Sequence, residues 1–75
     1  MKLRDLEHGQ SAIVTGYETT NPGYRSKLLA MGLTKGSRIT LLRVAPFGDP
    51  VNVEVRGYGL SLRRAEADVL IVESA

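Results

Sequence analysis

Hydrophobic and polar positions change rhythm several times along this chain, and each change predicts an element. "LRDLEHGQS" sets Leu3 and Leu6 three apart ahead of Gly9, which predicts a single helical turn over one end of the fold. "SAIVTGYET" then runs with period two, with Ala12, Val14 and Gly16 on one side and Ile13, Thr15 and Tyr17 on the other, as a first strand does. In "TTNPGYRSKLLAMGL" the period lengthens. Asn21 is placed to accept a hydrogen bond as N-cap, Pro22 suits the first helical position, and Gly32 is the natural stop, so the helix is read over Pro22 to Gly32. Tyr24, Leu28 and Met31 fall on one stripe that faces a core. Leu29 lies about 100° away from Leu28, near Arg25, at the core margin or exposed.

Period two returns in "KGSRITLLRVAPFGDPVNVEVRGYGLSL", read as three strands joined by "APFGDP" and "RGYG". Ile39, Leu41, Val51, Val53, Val55, Leu60 and Leu62 are the inward set, and Thr40, Asn52, Glu54, Arg56, Ser61 and Arg63 between them make one face wet. "RRAEAD" allows one helical turn before a last strand, "VLIVES". Short strands with one inserted helix suit a small β-barrel of about five strands, an architecture that also removes exposed edges. Leu28, Met31 and Leu33 are expected to cap it.

Length and composition narrow the picture. Seventy-five residues form a single domain, 1–75, near the low end of what one core can stabilise. No cysteine is present, so disulfides, thiolate metal sites and thiol nucleophiles are excluded, which suits a cytoplasmic location. The longest apolar run, Val69 to Val72, is far too short to span a bilayer, and the N-terminal stretch has no signal-peptide core. Ten Lys and Arg against eight Asp and Glu are scattered, which does not indicate strong nucleic-acid binding.

Little of the sequence reads as chemistry. His8, which follows Asp5 and Glu7, is expected in a solvated terminal turn, because a first-row metal site needs several ligands in an ordered frame. Asp49 before Pro50 reads as turn chemistry, its side chain bonding nearby backbone. The glycines match no phosphate-cradling pattern. Phe47 is the sole phenylalanine and sits in a strand connection. Folded back, it plugs the barrel end, the preferred reading; exposed, it is a contact residue. In the last strand Leu70 and Val72 point inward, while Val69 and Ile71 need cover from the terminal turn, the helix or another subunit. Arg25, Lys27, Arg43, Arg63 and Arg64 form either a solvated face or a patch that steers an acidic partner.

Taken together, "L-x-x-L-x-x-G" at Leu3 to Gly9, "YRSKLLAMGLTKGSRI", "VAPFGDPVNVEVRG" and "LSLRRAEADVLIV", in this order and spacing, resemble the FeoA family across essentially the whole chain. That resemblance implies an SH3-like β-barrel with the helix inserted after the first strand. It also implies a non-enzymatic accessory role in bacterial ferrous iron uptake beside FeoB, a membrane permease with a cytosolic GTP-binding domain. No cofactor or metal ligand is expected, and Tyr24, Arg25, Lys27, Leu29 and Phe47 are the expected partner-binding residues. A similar domain ends the iron- and manganese-dependent repressors of the diphtheria-toxin-repressor type. Those need a winged helix upstream, and a barrel starting at Met1 favours the stand-alone reading. Two alternatives remain: a nucleic-acid-binding barrel using Tyr17, Tyr24 or Tyr58 for stacking, and self-association through Val69 to Val72.

Overall fold

A computed structural model describes residues 1–18 and 22–75. A 3-10 turn at Leu3–Asp5 leads into β1 (Ser11–Tyr17), α1 (Pro22–Ala30), β2 (Arg38–Val44), β3 (Val51–Val55), β4 (Tyr58–Leu62), the one-turn helix α2 (Arg64–Ala67) and β5 (Leu70–Ser74). The strands form one antiparallel sheet in the order β4-β3-β2-β1-β5. The predicted N-cap Asn21 lies outside the described residues.

The mainly β, SH3-like architecture with one helix after the first strand is as the sequence predicts. The edges differ from expectation. β4 and β5 end the ladder and are not paired with each other, so the sheet closes around its core through side chains rather than through a last row of hydrogen bonds. Bulges help it coil. One falls in β1 between Val14 and Gly16 and one in β2 between Leu41 and Arg43. The second leaves Leu42 without a register partner, so Leu41 points in while Leu42 and Arg43 both stay outside.

All of the predicted inward residues of β2 to β4 are in the core except Leu60, which packs against it half-buried. The β3–β4 connection is shorter than "RGYG" suggests. Val55 pairs with Tyr58, and Arg56 and Gly57 alone make the turn, with φ 51° and 85°. Two positive φ angles in a two-residue loop match the right-handed strand twist, which is why Tyr58 and Gly59 are drawn into β4.

α1 ends as its glycine predicts. Gly32, at φ 90°, donates to the Leu29 carbonyl at 3.0 Å, and the Leu33 N–H donates to the Leu28 carbonyl at 3.0 Å. These two bonds form a Schellman cap, and the apolar pair that accompanies such a cap is Leu28 with Leu33, both fully buried. Tyr24 and Met31 pack on the core beside them, half-buried. Beyond the cap, Tyr17 donates to the Leu33 carbonyl and Tyr58 to the Met31 carbonyl. β1 and β4 thereby hold the end of the helix through hydroxyl groups.

Candidate functional site

α2 lies between two segments that carry expected partner-binding residues, α1 and the β2–β3 connection. Its first turn is capped twice. The Glu66 carboxylate accepts from the Arg63 N–H at 2.9 Å, and Asp49, from the β2–β3 connection, accepts from the Arg64 N–H at 2.9 Å. Asp49 therefore serves a helix fifteen positions away rather than its own turn, as the sequence reading had it. The Asp49–Pro50 peptide is cis. Gly48 lies against the Arg64 side chain, where an added Cβ would meet Cδ at 3.7 Å.

On its other side α2 is tied to α1. Glu66 is 3% exposed, and its second carboxylate oxygen pairs with the Lys27 ammonium. Burial alone pushes that carboxyl up. The hydrogen bonds from Lys27 and the Arg63 N–H, with the charges of Lys27 and Arg63, outweigh it and hold Glu66 below its ordinary value. α2 thus links the helix that carries Arg25, Lys27 and Leu29 to the loop that carries Phe47.

Phe47 is 92% exposed, which overturns the plug reading. The reason is geometric: Gly48 donates to the Ala45 carbonyl at 2.8 Å and Ala45 to the Pro50 carbonyl at 3.1 Å, closing a tight loop with Phe47 at its tip. Leu29 is 41% exposed, as its helix phase requires. The Arg25 guanidinium stands over the Tyr17 ring at 5.6 Å. Tyr24 is committed largely to the core and Lys27 to Glu66, its side chain still half exposed. Val69 is covered and Ile71 half-buried, with Ile71 set over Gly16.

The loop that carries Phe47 contributes Gly48 to a cavity of about 190 Å³, floored by Val44, Val51 and Ala67 and rimmed by Arg4, Gly48, Arg64 and Asp68. Asp68 lies 3.6 Å from Arg4 and 4.0 Å from Arg64, so the rim carries two cations around one carboxylate. An exposed aromatic, a small apolar hollow and a cationic rim suit docking. Among the described residues no group of three or more His, Asp or Glu side chains is placed to hold a metal ion. No described helix is long and apolar enough to cross a membrane. Sequence reasoning missed Arg4, Glu66 and Asp68. Glu66 had one signal, an acidic residue three positions after Arg63 at a helix start. Arg4 and Asp68 had none, because the fold alone brings them together.

Comparison with known proteins gives this surface its context. Residues 1–74 match the FeoA domain. Over 73 residues the chain is 36% identical to the Fe(2+) transport protein A/Fe(2+) transporter FeoB fusion protein of Porphyromonas gingivalis (strain ATCC BAA-308 / W83), covering 97% of this chain and 8% of that protein. The chain thus spans a small part of that curated relative. The solution structure of FeoA from Chlorobium tepidum superposes with a TM-score of 0.86 at 39% identity, covering 99% of this chain and 70% of that one. The crystal structure of Stenotrophomonas maltophilia FeoA complexed with zinc, an SH3 domain protein, superposes with a TM-score of 0.82 at 28% identity, covering 97% and 89%. A manganese-dependent transcriptional repressor shares the fold, with a TM-score of 0.90 at 19% identity over all of this chain and 41% of that one. With a match running from residue 1 to residue 74 and the same barrel in its relatives, the chain belongs to the FeoA family.

Proposed function

We propose that residues 1–75 act as a single non-catalytic accessory domain of ferrous iron uptake, docking from the cytoplasm on a FeoB-type permease and GTPase. The observation that carries this reading is the relative in which a FeoA-like segment and FeoB share one polypeptide, because fusion keeps two interacting parts at high effective concentration. The Stenotrophomonas maltophilia FeoA has itself been put forward as a bacterial ferrous iron transport activating factor. The docking face comprises Phe47 and Leu29 as apolar anchors, with Arg25, Tyr24 and the Lys27 stem around them. Aromatic and arginine side chains supply much of the binding energy at protein interfaces.

The test is a titration of isotope-labelled protein with the cytosolic GTP-binding domain of its cognate FeoB, with and without a GTP analogue. Amide shifts confined to Arg25 to Leu33 and the residues around Phe47 are expected. A flat titration in both nucleotide states excludes that domain as the docking partner and overturns this form of the proposal.

A further inference from the structure

We propose that the free edge of β4 is a docking site for an extended acidic peptide, which joins the sheet as an additional antiparallel or parallel strand. The two ends of the sheet are not alike. On β5 the outward-facing Val72 N–H donates to the Met1 carbonyl at 2.9 Å, and the Met1 amine donates to the Val72 carbonyl at 3.2 Å, so that edge is occupied at its middle. Among the described residues β4 has no such cover. The two-residue turn makes Val55 and Tyr58 a hydrogen-bonded pair, and the alternation of an antiparallel ladder then gives Leu60 and Leu62 to β3 as well. The N–H and C=O groups of Gly59 and Ser61 are left facing outward. Both residues are exposed, and among the described residues neither hydrogen-bonds to any element beyond β3. The edge stops at Arg63, whose N–H is taken by Glu66.

Side chains keep this edge open. A Cβ on Gly59 would meet nothing within 4 Å, and Ser61 is small. Together with Leu42, Arg43, Asn52 and Leu60 they line a shallow groove of about 360 Å³. Arg43, Asn52 and Ser61 are consecutive cross-strand neighbours. The side chain of an added strand set beside Ser61 therefore falls in a row headed by a cation. Arg56 and Arg63 flank β4 at its two ends. None of these three arginines is in an ion pair among the described residues, whereas Lys2, Arg4, Lys27 and Arg64 are. Glu54, opposite Gly59, is the carboxylate of β3 that faces them.

Charge also decides between a foreign peptide and a second copy. Two β4 strands paired antiparallel about Leu60 would set Gly59 opposite Ser61 and Gly57 opposite Arg63, which brings Arg56 of each copy beside Arg63 of the other. Like charges brought together across strands are destabilising. A strand carrying carboxylates at alternate positions meets the same cations favourably, while its backbone supplies the missing hydrogen bonds.

The experiment titrates labelled protein with a capped peptide of about eight residues alternating glutamate with valine and threonine. Three comparisons accompany it: the lysine counterpart, the glutamate peptide N-methylated at alternate residues, and the variants Ser61→Pro and R56E/R63E. Saturable shifts at Gly59 and Ser61 are expected, lost with N-methylation and with Ser61→Pro, which removes an outward N–H while leaving the β3 pairing in place. R56E/R63E should weaken binding about tenfold. Equal binding of the lysine or N-methylated peptide, or shifts elsewhere on the molecule, overturns the proposal without relying on any variant's folding. Concentration-dependent shifts at Gly59 and Ser61 without peptide would assign the edge to a second copy and overturn it equally.

Discussion

Leu28 and Leu29 are adjacent, chemically identical and assigned to opposite tasks by a 100° turn of the helix. Leu28 is fully buried against Leu33 in the α1 cap, and Leu29 is 41% exposed. Leu28→Ala should therefore cost about 2–5 kcal/mol, a large part of what so small a domain has to lose. Leu29→Ala should cost about 1 kcal/mol or less. Chemical denaturation of the two variants side by side checks the pair, and a low midpoint for Leu29→Ala would place that residue in the core. Phe47 belongs with Leu29. Its ring is open to solvent, so Phe47→Ser should leave the melting temperature within error of the parent and weaken association with FeoB, as read by the same amide titration.

At the scale of elements, a helix of four residues has too few internal hydrogen bonds to stand alone. α2 persists because Asp49 and Glu66 satisfy its first N–H groups and Lys27 fastens it to α1. Lys27→Met, which keeps the stem and removes the charge, should destabilise by about 1–3 kcal/mol, since it leaves a buried carboxylate short of partners. The same carboxylate makes the fold sensitive to acid. Glu66 is held below its ordinary 4.5 in the folded state, so the unfolded chain binds its proton more readily. The stability this adds is complete above about pH 4.5 and is lost as pH falls through the lowered value. Glu18, exposed and lowered chiefly by its hydrogen bond from Lys2, acts in the same direction. Glu66→Gln should therefore flatten the decline of melting temperature in acid without abolishing it, and an unchanged slope would remove Glu66 from the account.

For the whole molecule, one core serves several surfaces of different character. One surface, around α2, has a hollow rimmed by Arg4, Arg64 and Asp68, and the loop that lends Gly48 to it carries the exposed Phe47. Another, across β2 to β4, is flat, cationic and ends in an unpaired strand edge. The two surfaces carry separate proposals. Arg56→Glu changes the second surface alone and Phe47→Ser the first, whereas Arg63 touches both because its charge also acts on Glu66 in α2. A partner that needs both would respond to each variant, and one that uses only the α2 side would respond to Phe47→Ser alone.

The elements, their order and most of the core were determined by the sequence, because alternation in Arg38 to Leu62, the helical stripe of Tyr24, Leu28 and Met31, and the stop at Gly32 are local properties of side-chain spacing and backbone freedom. Leu29 was legible for the same reason. What only the tertiary structure decided depends on which loops come together. Asp49 looked like a turn residue and caps α2; Lys27 looked like a free cation and fastens Glu66; Phe47 could be plug or anchor until the loop closed beneath it. Whether the strands leave an open edge also lay beyond periodicity, which shows which face of a strand is wet but not which of its neighbours is missing.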